Sequence, residues 1–271
     1  MLRDITIGQF IPGESIIHKI DPRFKIVFVV AATVMIFISK TFVGIGICAA
    51  FIILCAALSG VHAKLLIRSF KPLLPFIIFT VILNMLYSRG GTVLLEWWVI
   101  TITLEGIYAS IMMTLRIVLM LLAGSLLTFT TSPIVLTDAI ERLMYPLSWI
   151  KVPVRDIAMM MTIALRFIPT LIDETEKIMN AQKARGASLE SGKLMQRAKA
   201  MLPILIPLFV SAFKRAEELA LAMECRCYTG GKGRTRLKQM KCRLPDFVSA
   251  FVIIAVLAAI VYANSMFTNV L

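Results

Sequence analysis

The chain has 271 residues, 59% of them hydrophobic, and a mean hydropathy of +0.86. That is too apolar for an ordinary soluble domain and fits an all-α polytopic membrane protein. The net charge of +13 would suit a nucleic-acid binder, but no aromatic residues interleave the basic ones as a stacking platform requires. The charge is therefore assigned to the cytosolic parts of a membrane protein.

In chain order, Asp21-Pro22 within SIIHKIDPRFK, 15–25, marks a turn or helix start. The first long apolar run begins only at Ile26 and has no small-residue cleavage site behind it, so no signal peptide is expected. Apolar runs at 26–39 and 42–58, separated by Lys40 and Thr41, predict a tight helical hairpin. Lys64, Arg68 and Lys71 predict a basic loop over 59–72, before a third span at 73–87. Gly90-Gly91 and the β-branched residues after them predict an external loop or short hairpin over 88–103. A long fourth span follows at 104–131 and a last one at 246–267. Arg116 lies midway in the fourth span, where an exposed charge costs about 2.5–3.5 kcal/mol. It must face protein or water, and Glu96 and Glu105 are its candidate partners.

Between 132 and 245 the pattern changes: 19 Lys and Arg and 10 Asp and Glu are spaced so that the apolar residues keep a helical stripe. Three amphipathic helices are predicted, over 133–150, 153–186 and 195–229, with breaks at Lys151-Val152-Pro153 and from Gly186 to Gly192. Pro169, Pro203 and Pro207 should bend them. The expected organisation is a membrane domain over 1–131, a cytosolic domain over 132–245 and a final span in 246–271. Six basic residues from Lys232 to Arg243, and three in the 59–72 loop, sit close to span ends, whereas the opposite side has only Lys40 and Arg89. The positive-inside rule then places the N-terminus and the 132–245 region in the cytosol and the C-terminus outside, with five spans.

No metal, nucleotide or catalytic signature accompanies this frame. Cys48 and Cys55 fall in an apolar run, and Cys225, Cys227 and Cys242 in the basic region, with no CxxC pair and neither His18 nor His62 beside them. A zinc site would lack its fourth ligand, and cytosolic thiols stay reduced. GGKGRT at 230–235 lacks the glycine spacing that cradles phosphates, and neither HExxH nor GxSxG occurs. The chain is not expected to be an enzyme or to hydrolyse ATP.

The distinctive feature is a pair of arginines at helix ends. ETEKIMNAQKARG, 174–186, overlays RAEELALAMECRC, 215–227, so that Glu176 matches Glu217, Ala181 matches Ala222, and Arg185 matches Arg226. The simple reading is a cation offsetting the helix dipole, worth about 0.3–1 kcal/mol, with Gly186 a capping glycine. The functional reading uses the planar guanidinium, which grips a partner's carboxylate through charge-assisted hydrogen bonds of roughly 1.5–3 kcal/mol each. Two such tips suit a membrane subunit driven by a pair of motor subunits.

LRFIPTLIDETEKIMNAQKARGA, 165–187, and LPILIPLFVSAFKRAEELALAMECRCY, 202–228, strongly resemble the transmembrane T subunit of energy-coupling factor (ECF) transporters, as do SIIHKIDPRFK and LRIVLMLLAGSLLTFTTSP, 115–133. The resemblance covers nearly the whole chain. It implies a subunit placed between two ABC-type ATPases and a small membrane-embedded substrate-binding S subunit, importing vitamins or metal ions. ATP and magnesium would bind the ATPases, and this chain would hold no cofactor. The family's X-Arg-Gly docking motifs map to Ala184-Arg185-Gly186 and to Cys225-Arg226-Cys227. In the second, cysteine stands where glycine is usual, so helix three could run on through Tyr228 to Gly230-Gly231.

The resemblance also implies an S-subunit contact on the apolar faces of these helices. Met159, Met160, Met161, Leu165 and Phe167 would form one part, and Leu205, Leu208, Phe209 and Phe213 the other. The same residues could instead pack on the chain's own spans or rest in the bilayer interface. A conventional ABC importer permease is the main alternative: it would present one coupling device per chain and assemble as two copies. A scaffold with no transport role is a third possibility.

Overall fold

A computed structural model describes residues 10–87, 93–97, 100–187, 194–230 and 244–267. The helices are α1 (Ile16–Lys19), α2 (Pro22–Ile38), α3 (Phe42–Ser59), α4 (Ala63–Phe70), α5 (Leu74–Tyr87), α6 (Leu104–Thr130), α7 (Pro133–Leu143), α8 (Val154–Ala184), α9 (Leu194–Glu224) and α10 (Leu244–Phe267). Short 3-10 segments cover Lys71–Leu73 and Tyr145–Ile150. The one exception to the all-α architecture among the described residues is an antiparallel hairpin, β1 (Val93–Trp97) with β2 (Ile100–Thr103), where the sequence allowed a short hairpin. The described residues divide into two compact units, one from 10–139 and 244–267, the other from 140–230.

In the first unit, helix starts follow local chemistry. The Asp21 carboxylate accepts from the Arg23 amide, with Pro22 opening α2. Thr41 and Thr103 cap α3 and α6 by accepting from the Gly44 and Gly106 amides. A Cβ at Gly44 would collide with Ser39 Oγ, so glycine is what lets the α2–α3 turn close. Ile36, Ile45, Ile52, Leu119, Ala123, Phe129 and Ile260 form the buried core between α2, α3, α6 and α10. Much of the remaining apolar surface is exposed, including Val30, Ile53, Phe76, Phe79, Phe251 and Ile254, as lipid-facing positions require.

Four described stretches are long and apolar enough to cross a membrane: Phe42–Ser59, Ala63–Met85, Leu104–Thr130 and Leu244–Met266. The first of the five expected runs is α2, which has 17 residues, with Arg23 and Lys25 in its first turn. It sits at the short end of spanning length. Yet α2 is tied to α10 at both ends. The Asp21 amide donates to Asp246 Oδ1 at 2.8 Å, and Asn264 Nδ2 donates to the Ile38 carbonyl at 2.8 Å. The two helices are therefore co-extensive.

Three expectations change. The basic segment 59–72 is helical from Ala63 onward: Lys64, Arg68 and Lys71 recur at a spacing that puts them on one exposed face, Leu66 is buried, and the third span begins at Ala63. The single helix expected over 133–150 is α7 followed by a 3-10 helix, where Pro146 cannot donate to an α-helical ladder. Arg116 does not turn to Glu105, which is exposed, and the Glu96 side chain lies outside the described residues. Its Nη2 donates to the Ser39 carbonyl at 2.7 Å, satisfying the C-terminal end of α2.

Candidate coupling site: two arginine tips on an antiparallel helix pair

α8 and α9 have 31 residues each. α8 continues through Pro169, and α9 through Pro203 and Pro207. They touch in opposite order along the chain: Arg215 Nη2 lies 2.9 Å from Glu174 Oε2, while Gln182 Nε2 donates to the Pro203 carbonyl at 3.4 Å. The helices therefore run antiparallel, and their C-terminal tips point away from each other. Glu174 and Arg215 are equivalent positions of the two overlaid segments, 41 residues apart. From that ion pair each helix runs another 11 residues to its arginine, an arm of about 16 Å at 1.5 Å per residue.

The two tips share one hydrogen-bond pattern. At the first, the Gly186 amide donates to the Lys183 carbonyl and the Ala187 amide to Gln182, both at 3.0 Å. At the second, the Cys227 amide donates to Glu224 at 2.8 Å and the Tyr228 amide to Met223 at 3.1 Å. Both are Schellman caps, with the arginine at the C-cap and the next residue left-handed, at φ 86° for Gly186 and 57° for Cys227. Helix three thus does not run on to Gly230-Gly231: α9 ends at Glu224, because the backbone satisfies its last carbonyls without glycine. The left-handed conformation costs a side-chain-bearing residue about 1–2 kcal/mol.

Ala184, Arg185 and Gly186 are exposed, as are Cys225, Arg226 and Cys227. Among the described residues, no side chain or carbonyl accepts from either guanidinium. A Cβ at Gly186 would meet nothing within 4 Å, so the space beyond the first tip is open. Both arginines are thus presented outward by a fixed turn.

The apolar positions sort differently. Phe209 and Phe213 are strongly exposed and Leu205 is exposed, whereas Leu208 is half-buried. Ile206 (61% exposed) and Val210 (64%) join Phe209 and Phe213 in an i, i+3, i+4, i+7 stripe that the sequence reading missed by half. The periodicity was there to be read, but the burial of Ile204, which sets the opposite face, was not. On α8, Met160 and Met161 are exposed, while Met159, Leu165 and Phe167 are half-buried, so the methionine run does not form one face.

Residues 13–237 match the cobalt transport protein family model. An energy-coupling factor transporter transmembrane protein from Acidaminococcus fermentans is 52% identical over 262 residues, 97% of either chain. Its counterpart from Ruminiclostridium cellulolyticum is 51% identical over 241 residues, 89% of this chain and 90% of that one. The one from Macrococcus caseolyticus is 43% identical over 267 residues, 98% of this chain and all of the other. A multi-pass membrane transport subunit is therefore the class. The chain belongs to the family of energy-coupling factor transporter transmembrane proteins.

Proposed function

We propose that this chain transmits ATP-driven motion from two ABC-type ATPase subunits to a small membrane-embedded S subunit, which releases a vitamin or metal ion into the cytosol. The observation that carries this reading is the pair of outward-facing arginines, Arg185 and Arg226, held by the same Schellman turn at the ends of arms of equal length. Each guanidinium, with Ala184 and Gly186 or Cys225 and Cys227 around it, docks in a groove of one ATPase and grips a carboxylate there. ATP-driven closure of the ATPases swings the two arms about the Glu174–Arg215 contact. The stripe of Ile206, Phe209, Val210 and Phe213, with Leu205, Leu208, Met160 and Met161, forms the seat of the S subunit, which tips as its seat moves. Met159, Leu165 and Phe167 complete that surface from α8.

The chain binds no cofactor in this reading: ATP and magnesium belong to the ATPases. The α8–α9 pair lies on the cytosolic side, in keeping with the basic residues from Lys232 to Arg243 and with Lys64, Arg68 and Lys71. Counted as a fifth span, α2, which is co-extensive with α10, supports termini on opposite sides of the cell membrane, and the basic residues favour the N-terminus inside and the C-terminus outside. The description of the matched family names cobalt transport, which supports a micronutrient cargo.

The test is affinity purification of the tagged chain from its native membrane, with its companions identified and counted. The expected result is one copy of this chain with two ABC-type ATPase subunits and one small hydrophobic protein. Two copies of this chain per complex, or no ATPase, would contradict it.

A further inference from the structure

α6 ends at Thr130, the compact unit that holds the bundle runs on through α7 to Ala139, and α10 begins at Leu244. The α6–α7 junction and the start of α10 are both tied down by one turn of helix. Lys25 Nζ donates to the Thr130 carbonyl at 3.0 Å, to Thr131 Oγ1 at 3.2 Å and to the His18 carbonyl at 3.3 Å. Four residues earlier, the Asp21 amide donates to Asp246 Oδ1 at 2.8 Å, two residues past the start of α10. Asp21, Lys25, Thr130, Thr131 and Asp246 are all buried, Asp246 to 1% exposure. Arg23 Nε stands 3.8 Å from Asp21 Oδ1.

This polar cluster is not what a bundle needs merely to hold together. The hydrophobic core lies between the same helices, and burying a lysine and two aspartates is costly unless every contact is made. The Asp246 carboxylate sits at two helix N-termini at once, those of α2 and α10, where backbone N–H groups favour negative charge. The Lys25 ammonium caps the carbonyl end of α6, where cations are favoured. One turn of α2 thus grips the α6–α7 junction with a cation and the start of α10 through an anion.

We propose that the Asp21–Lys25 turn is a clamp that anchors the α6–α7 junction and the start of α10 in the bundle, so that motion of the arms is delivered to the S subunit instead of being lost in slack at these two junctions. Lys25 and Asp246 are then positioning residues of transport. This rests on the coupling function proposed above.

The test uses the complete complex reconstituted in proteoliposomes, with ATP hydrolysed per substrate imported as the readout. Lys25→Met should raise that ratio about tenfold, with ATPase turnover within twofold of the parent and ATPase subunits still copurifying. Thr131→Val and Asp246→Asn keep the shape of the site and guard against misfolding. Thr131→Val should raise the ratio two- to threefold. Asp246→Asn, which keeps an acceptor for the Asp21 amide, should stay closer to the parent than Asp246→Ala. A purely structural role would lower hydrolysis and uptake together and leave the ratio unchanged in all four variants, which would overturn the clamp. An unmutated chain that recruits no ATPase would instead overturn the coupling function itself.

Discussion

The membrane bundle and the α8–α9 pair are held by different kinds of contact. The bundle has a closed apolar core and polar ties at both ends: Asp21, Lys25 and Asp246 at one, Ser39, Arg116 and Asn264 at the other. The α8–α9 pair has a half-exposed ion pair, one weaker hydrogen bond near Gln182, and a stripe of large apolar side chains left uncovered. Buried polar groups that find partners favour one arrangement over its neighbours, although Arg23 Nε and Nη2 and Arg116 Nε are buried without one among the described residues. A part-exposed ion pair, worth roughly 0–1 kcal/mol, does not. Under the proposed function, the bundle serves as a fixed base and the helix pair as arms whose angle a partner sets.

The largest effect should come from the tips. Losing one partner of a buried charge pair costs about 3–5 kcal/mol, so Arg185→Ala or Arg226→Ala should weaken ATPase binding by roughly two to three and a half orders of magnitude, about tenfold per 1.4 kcal/mol. The double variant should recover almost no ATPase on copurification, while the bundle keeps its thermal stability. Wild-type uptake by both single variants would break the comparison at its functional end.

Next in size is the uncovered stripe. Phe213→Asp places a charge at the most exposed of its four residues, and hot-spot losses of about 2 kcal/mol or more are typical of such anchors. S-subunit affinity should fall about thirtyfold, with ATPase docking unchanged. An equal loss of both partners would mean that the helix pair had collapsed.

A smaller effect attaches to the contact between the arms. Glu174→Arg alone should cost less than about 1 kcal/mol of stability, since both side chains are partly in solvent. It should nevertheless slow uptake severalfold, and adding Arg215→Glu should restore it. Failure of the swap to rescue would remove the pivot.

The smallest concerns Cys227. Replacing it by glycine relieves a left-handed side chain, so the last turn of α9 should gain about 1 kcal/mol, read as slower amide exchange at Cys227 and Tyr228. Transport should be unchanged. The converse change, Gly186→Cys, should loosen the first tip by a similar amount.

Much of this frame was legible in the sequence because it is written locally. The ends of α8 and the start of α9 fall within two residues of the predicted ones, since Pro153 and Gly186 punctuate the chain. The end of α9 was missed because cysteine carries no capping signal, and only the backbone hydrogen bonds of Cys227 and Tyr228 reveal the turn. The cations of α4 suggest a loop by composition, whereas their spacing, with Leu66 on the opposite face, is that of an amphipathic helix. The partner of Arg116 is a carbonyl, which no residue type announces. The tie between Asp21 and Asp246 joins positions 225 apart, with no local trace of it at either.

The central claim is that the arms move on a base that does not. The most direct measurement places spin labels at 184 and 225, one per tip, and a second pair at exposed positions of α2 and α10, with the remaining cysteines replaced. Distances would be recorded in the assembled complex with and without ATP. With ATP the distance between the tips should shorten from a ceiling of about 33 Å for two arms end to end, and the distance within the base should stay unchanged. Tips that stay fixed on ATP binding, or a base that moves as far as they do, would contradict it.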